Sequence, residues 1–66
     1  MTILQMRRGM EIFAKYVGED STLGGAEHDV IYATPKDELQ AITADDCAEL
    51  IALGWYEGDY GWEHNV

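Results

Sequence analysis

The stretch TADDCAELIALGWYEGDYGW, residues 43–62, carries the clearest structural pattern in the chain. Thr43 is a favoured helix N-cap, and Asp46 three residues later has the spacing of a capping box, in which each side chain accepts a hydrogen bond from the other residue's backbone N–H. Gly54 lacks a Cβ and adopts at little cost the left-handed conformation that ends a helix. The pattern therefore predicts a helix between Thr43 and Gly54.

The apolar residues of this helix recur at the spacing of one helical face. The stripe consists of Ala44, Cys47, Ala48 and Ile51, widened by Leu50 and Leu53. The acidic residues Asp45, Asp46 and Glu49 lie off it. We expect the stripe to pack on a sheet and Cys47, the single cysteine, to be a buried hydrophobic residue that forms no internal disulfide.

Two short aromatic strands follow the helix and cover residues 55–57 and 60–63. Gly58 and Asp59 between them suit a tight two-residue turn. Folding about this turn sets Trp55 opposite Trp62, a pair that would contribute up to ~1 kcal/mol over Ala–Ala. Helix and hairpin together form the predicted organising unit.

The first half of the chain is predicted to supply two further strands. Residues 10–17 alternate in the manner of a strand, and residues 27–33 contain a run of β-favouring side chains. Residues 1–9 are either an edge strand or a loose arm, and residues 18–26 form a long loop rich in turn formers.

A second helix start is predicted at Pro35. Proline fits the first helical position, Thr34 can cap it, and Asp37 follows at the capping-box spacing. Pro35 also ends the preceding strand because it cannot continue a ladder. We expect a short helix over residues 35–41 before the restart at Thr43; the alternative is one continuous helix with a kink.

These elements predict a single α+β domain over residues 1–66. A small antiparallel sheet of about four strands, including the C-terminal hairpin, carries one main helix and one short helix on one face. If residues 1–9 form a strand, a ferredoxin-like arrangement is the expected alternative. The pattern does not settle the strand order.

The composition excludes several classes of protein. A chain that is 47% hydrophobic and 11% aromatic is too apolar for intrinsic disorder. The chain contains no run of about 18 apolar residues and no signal-peptide pattern, so we expect a cytoplasmic protein that does not span a membrane.

The charge is strongly negative and unevenly distributed. Thirteen acidic and four basic residues give a formal net charge of −9. Residues 1–18 hold three of the bases and one acid, a balance of +2, whereas from residue 19 onward twelve acids face Lys36 alone, a balance of −11. Such a field repels nucleic acid and attracts basic surfaces. The predicted partner therefore presents a cationic site.

No residue pattern predicts catalysis or a bound metal. His28 stands between Glu27 and Asp29, but neighbours in a strand point to opposite faces and cannot chelate together. The chain has no nucleophile motif, phosphate-binding glycine loop or dinucleotide fingerprint. We therefore expect no enzyme, no cofactor and no metal ligand.

Two pairs of acids are expected to form short rows of negative charge. Asp45 and Glu49 are one helical turn apart, about 6 Å along the axis. Glu27 and Asp29 are alternate residues of the predicted strand and share a face at about 6.6 Å. Such rows can imitate phosphates. The alternatives are complementation of helix dipoles, solubility of a small protein, and adaptation to high salt.

The C-terminal pattern carries a resemblance to phage proteins. The ending Leu50-x-x-Leu53-Gly54-Trp55, followed by a polar turn and Trp62, resembles the ends of short phage and prophage proteins. Small size, acidity and the lack of catalytic motifs further resemble anti-CRISPR proteins, the phage-encoded inhibitors of bacterial CRISPR immunity, several of which are DNA mimics. The resemblance implies an inhibitor in the host bacterial cytoplasm that blocks the DNA-binding surface of a Cas effector complex. The implied partner is a basic nucleic-acid-binding protein, a subunit of a type I (Cascade) effector.

The resemblance makes the acidic side chains the candidate contacts, with those of the predicted main helix first. The candidates are Glu19, Asp20, Glu27, Asp29, Asp37, Glu38, Asp45, Asp46, Glu49, Glu57 and Asp59. The N-terminal bases Arg7, Arg8 and Lys15 depart from an all-negative mimic, so the mimic surface is expected to lie away from them. We expect a monomer or a weak homodimer.

The alternative hypothesis is a small adaptor or homodimer. In this case the protein buries Tyr56, Tyr60 and Trp62 of the aromatic hairpin against a partner, because Tyr and Trp are the usual anchors of such interfaces. Binding by this route would be nearly indifferent to salt, whereas charge mimicry would weaken steeply as salt rises.

Overall fold

A computed structural model describes residues 1–35 and 41–66 of the protein. Within these residues the chain forms two helices and four strands. They are α1 (Ile3–Val17), β1 (Gly25–Glu27), β2 (Val30–Pro35), α2 (Ala44–Ala52), β3 (Tyr56–Gly58) and β4 (Gly61–Asn65). Neither of these helices is long and apolar enough to cross a membrane.

The four strands form one antiparallel sheet in the order β1-β2-β4-β3. The predicted α+β class, antiparallel sheet and C-terminal hairpin are therefore confirmed. The ferredoxin-like alternative is wrong, because that arrangement runs βαββαβ whereas the described elements run αββαββ. The central pair is β2 and β4, one strand from each of two hairpins.

The N-terminal segment is a helix, so the predicted arm or edge strand over residues 1–9 and the predicted strand over residues 10–17 are both wrong. Thr2 is the N-cap. The Gln5 N–H donates to the Thr2 hydroxyl oxygen at 3.1 Å, and the Thr2 N–H donates to Gln5 Oε1 at 2.7 Å. This complete capping box satisfies two backbone donors and sets the start of α1.

The buried face of α1 shows why the alternation misleads. Gly9, Ile12 and Phe13 are buried at i, i+3 and i+4, and Tyr16 follows half-buried at i+7. Ile12 and Tyr16 are four residues apart, a spacing that both a strand face and a helix face contain. Gly9 does not break the helix but lies in its packing surface.

The first hairpin replaces the single strand predicted over residues 27–33. Glu27 pairs with Val30, and the two turn residues between them, His28 and Asp29, have φ values of 49° and 65°. Positive φ at both central positions is the geometry of the tight turns that match the twist of paired strands. Glu27 and Asp29 therefore do not share a strand face, and the row of charge predicted for them is wrong.

Pro35 is the last residue of β2, where it pairs with Gly61 after a register shift. Thr34 is also part of β2. The predicted helix start at Thr34 and Pro35 is therefore wrong, because the backbone there is extended. The remainder of that predicted helix, residues 36–40 with Asp37 and Glu38, lies outside the described residues.

The predicted ends of α2 are confirmed. Thr43 is the N-cap and accepts from the Asp46 N–H at 3.1 Å, and Gly54 has φ +92° just beyond the helix. The packed face differs from the predicted stripe, because Leu50 is buried while Ile51 is 60% exposed. α2 contacts α1. The buried face of α2 is therefore the face that carries Leu50, and Ile51 lies outside it.

The C-terminal hairpin has a different register from the predicted one. The turn is formed by Asp59 and Tyr60, and Glu57 faces Trp62. Trp55 precedes β3, so the predicted cross-strand tryptophan pair is wrong. Both tryptophans are nevertheless buried.

The hydrophobic core lies between the two helices and one face of the sheet. Its buried members are Ile12, Phe13, Ala33, Leu50, Trp55 and Trp62. The Phe13 ring centroid is 5.1 Å from that of Trp55 and 6.2 Å from that of Trp62. The tryptophans thus meet on a side chain of α1, and the core depends on this helix.

Candidate acidic binding surface

Arg8 joins the two helices through a bidentate ion pair with Glu49. The Arg8 Nη2 donates to Glu49 Oε1 at 2.9 Å, and Nε donates to Oε2. Arg8 Nη1 also donates to Glu11 Oε2 at 3.2 Å, and Arg7 pairs with the same carboxylate. A planar guanidinium matches two carboxylate oxygens, which makes this geometry the strongest form of surface ion pair.

Lys15 and Tyr16 contact Asp46 at the other end of the contact between α1 and α2. We call this contact the α1–α2 seam; it comprises Arg8, Lys15, Tyr16, Asp46 and Glu49. Lys15 Nζ lies 2.8 Å from Asp46 Oδ2, and the Tyr16 hydroxyl donates to the same oxygen. The Thr43 N–H donates to the Tyr16 hydroxyl at 3.1 Å. The predicted reciprocal capping box is therefore wrong in one half, because Tyr16 and not Asp46 satisfies the Thr43 N–H.

The pKa values of this seam follow from these contacts. Hydrogen bonding to Arg8 lowers the pKa of Glu49, and hydrogen bonding to Lys15 and then Tyr16 lowers the pKa of Asp46. The hydrogen bond to Glu49 is the main cause that raises the pKa of Arg8. Both carboxylates are therefore stabilised in their ionised form, and both already accept hydrogen bonds from side chains of α1.

The three acids of α2 that were expected to bind a partner first differ in their exposure. Asp46 and Glu49 are half-buried in the α1–α2 seam, whereas Asp45 in the first turn of α2 is exposed. The predicted row of Asp45 and Glu49 is not a pair of free charges, because Arg8 neutralises Glu49. Asp46 and Glu49 therefore stabilise the packing of α1 against α2, whereas Asp45 is exposed to other molecules.

The other described candidates are exposed and lie in turns or edge strands. Glu19 and Asp20 follow α1, Glu27 ends β1, Asp29 is in the first hairpin turn, Glu57 is in β3, and Asp59 is in the second hairpin turn. Within residues 1–35 and 41–66, none of these six makes an ion pair with Lys or Arg. Asp37 and Glu38 lie outside the described residues.

The face of the sheet opposite the core carries tyrosines and acids. Trp62 and His64 of β4 are buried, so Glu63 between them points to the other side. Register places Tyr32 of β2 and Tyr56 of β3 on either side of Glu63. We call this surface the tyrosine face; it comprises Glu27, Tyr32, Tyr56, Tyr60 and Glu63.

Hydrogen bonds and ring contacts organise the tyrosine face. The Tyr56 hydroxyl lies 3.5 Å from Glu63 Oε1 and 3.4 Å from Asn65 Oδ1. Tyr32 and Tyr60 meet edge to face, with ring centroids 6.2 Å apart. Partial burial is the main cause that raises the pKa of Tyr32, and the charges of Glu27 and Glu63 add to it. Tyr32 therefore lies in a negative local potential.

A groove of about 480 Å³ opens beside Tyr32 on the tyrosine face, and we call it the Tyr32 groove. Its lining residues are Gly24, Gly25, Ala26, Glu27, Tyr32 and Tyr60. Gly25 faces Tyr32 across the β1–β2 pair and has no side chain to cover the ring. Glu27 is among the acids predicted from the sequence, but Glu63 and Tyr32 are not, because only the sheet register brings them together.

The burial of Trp62 removes one of the three anchors named in the alternative hypothesis of an aromatic adaptor. Trp62 is only 2% exposed and belongs to the core, so it is not available to anchor a partner. Tyr60 is 76% exposed, and Tyr56 is partly exposed. The exposed aromatic residues are therefore the tyrosines of the tyrosine face, where acids surround them.

In residues 1–35 and 41–66, no group of three or more His, Cys, Asp or Glu side chains is placed to hold a metal ion. His28 is exposed, and its Nε2 lies 3.3 Å from Glu27 Oε1. Cys47 is a half-buried free thiol. No protein-family model, curated protein or solved structure shows significant similarity to the chain.

Proposed function

We propose that the protein is a non-enzymatic inhibitor that binds the cationic, nucleic-acid-binding surface of another protein and excludes the nucleic acid. The observation that carries this proposal is the placement of the bases. Each base of α1 forms an ion pair with an acid of α1 or α2; these bases are Arg7, Arg8 and Lys15. The exposed acids of the turns and edge strands are left to set the charge of the remaining described surface.

The arrangement of these acids supports mimicry through charge. Acids at both hairpin turns and at both edge strands border the sheet, so a partner that docks on the sheet meets carboxylates around its contact. Basic grooves that bind phosphates attract such a surface over a distance of about a Debye length, which is about 8 Å at physiological ionic strength. The inhibitor would gain both a fast approach and competition with nucleic acid.

The resemblance to anti-CRISPR proteins indicates a partner class to test first. A DNA-binding subunit of a type I (Cascade) effector presents the basic groove that a DNA mimic would occupy, and it works in the bacterial cytoplasm. Size, net charge and the C-terminal pattern support this choice. The inhibitor then acts by occupancy alone, without a cofactor.

The test is a competition experiment with a purified Cascade-type complex and its duplex DNA target. The protein should displace DNA in proportion to its concentration, and the displacement should weaken steeply between low and high salt. Two charge-reversal variants, Glu57→Lys with Asp59→Lys and Glu19→Lys with Asp20→Lys, change net charge equally at different places. Unequal loss of inhibition would locate the contact surface.

A basic DNA-binding protein that keeps its DNA in the presence of excess inhibitor at low salt would contradict the proposal for that partner. Salt-resistant binding to a partner, lost in Tyr60→Ala but unchanged in both charge-reversal variants, would overturn the mimicry mechanism. That outcome would instead support an adaptor that binds through exposed tyrosines.

A further inference from the structure

The Tyr32 groove is lined by aromatic rings on one side and by glycine backbone on the other. Tyr32 and Tyr60 form an aromatic corner, and the backbone of Gly24 and Gly25 forms the side without side chains. Glu27 stands at the edge of the groove with its side chain 65% exposed. The groove therefore offers aromatic rings and a carboxylate to a single guest.

The position of the groove in the sheet makes it negative. Glu63 lies next to Tyr32 on the neighbouring strand, and Glu27 lies diagonally across the β1–β2 pair. None of the residues that line the groove is basic. Charge complementarity therefore selects a cationic guest and disfavours phosphates and carboxylates.

Among cationic side chains, arginine fits this combination best. Its guanidinium is planar and stacks on aromatic rings, and it donates two parallel hydrogen bonds to one carboxylate. Lysine carries the same charge as a strongly hydrated point and gains less from either contact. The paired rings and the adjacent Glu27 suit a flat, forked donor.

We propose that the Tyr32 groove binds an arginine side chain of a cationic protein partner. Tyr32 and Tyr60 contact the faces and edge of the guanidinium, and Glu27 accepts its N–H groups. This inference deepens the proposed function and rests on it for the identity of the partner. The negative charges of Glu27 and Glu63 beside Tyr32 agree with it, because they attract a cation.

The experiment uses the full chain and two peptides of equal charge. One short peptide carries two arginines separated by glycines, and the other carries lysines at the same places. Binding at low salt is followed by NMR through the ring resonances of Tyr32 and Tyr60. We expect the arginine peptide to bind more tightly and to shift both sets of ring resonances.

Variants separate the groove from general charge attraction. Glu27→Gln and Tyr60→Leu should each weaken binding of the arginine peptide about two- to fivefold. Glu57→Gln removes the same charge from β3, at the opposite edge of the sheet, and should weaken it by less than about twofold. Equal affinity for the two peptides, or equal losses in Glu27→Gln and Glu57→Gln, would overturn the inference.

The DNA competition experiment distinguishes this inference from the proposed function. Inhibition of DNA binding together with equal binding of both peptides would leave the inhibitor in place and remove the arginine groove. Selective binding of the arginine peptide without any DNA competition would retain the groove and contradict the inhibitor.

Discussion

The indole ring of Trp55 lies directly against the backbone of Gly9 in the middle of α1. Its Nε1–H donates to the Gln5 carbonyl oxygen at 3.1 Å, and the residue is 1% exposed. A Cβ added to Gly9 would lie 2.6 Å from Trp55 Cε2. The contact joins the N-terminal helix to the segment that leads into the C-terminal hairpin.

Gly9→Ala should therefore destabilise the protein. Alanine favours a helix over glycine by about 1 kcal/mol, but forcing the ring aside costs about 1–3 kcal/mol. We expect a net loss of about 1 kcal/mol in the free energy of unfolding, measured by urea denaturation. The same substitution in a Trp55→Phe background should be less harmful, because the smaller ring leaves space. A rise in stability of Gly9→Ala alone would contradict this packing.

Trp62→Ala should lower the free energy of unfolding by about 3–5 kcal/mol, because it empties a core position. In a domain of this size such a loss unfolds a large part of the population. Tyr60→Ala, two residues earlier and exposed, serves as the control and should change stability little. Far-UV circular dichroism during thermal unfolding distinguishes the two. A fully folded Trp62→Ala protein would contradict the core assignment.

The seam between α1 and α2 predicts a loss of stability at low pH. The pKa values of Asp46 and Glu49 are below their ordinary values of 3.8 and 4.5, so the folded state binds protons less readily than the unfolded chain. Their contribution is complete above these ordinary values and is lost as pH falls through the lowered ones. Urea denaturation from pH 7 to pH 3 should show this decline.

The double variant Asp46→Asn with Glu49→Gln is the control for the pH experiment. It should be less stable than the natural protein at pH 7 and should show a shallower decline toward pH 3. Asp45→Asn changes an exposed neighbour and should leave the pH dependence as it is. Parallel pH curves for the double variant and the natural protein would contradict the role of this seam.

The first hairpin turn predicts a stabilising variant. His28 and Asp29 occupy positive φ without being glycine, which costs roughly 1 kcal/mol or more per residue. His28→Asn with Asp29→Gly supplies the residues that prefer such a turn, so we expect a gain of about 1 kcal/mol in thermal unfolding experiments. Asp59→Gly in the second turn, where φ is not positive, should instead destabilise. Equal effects at the two turns would contradict the assigned geometry.

Local patterns in the sequence predict the parts of the fold that depend on neighbouring residues. Thr43 and Gly54 bound α2 as predicted, because a cap and a left-handed stop act within a few residues. The C-terminal hairpin follows from its aromatic strands and glycines. The acidic surface also follows from composition, because thirteen acids cannot be buried in so small a domain.

Other features depend on contacts between segments that are distant in the sequence and are seen only in the folded chain. The periodicity of residues 10–17 fits both a strand and a helix. Gly9 lies within the helix, and the Trp55 ring packs in the space where another residue would have its Cβ. Asp46 and Glu49 were indistinguishable from surface acids until α1 brought Lys15 and Arg8 to them. The Tyr32 groove arises only when sheet pairing places Glu27, Tyr32 and Tyr60 together. Charge, fold class and the ends of α2 can be predicted from the sequence, since they depend on composition and near neighbours, whereas burial and strand pairing depend on the folded chain.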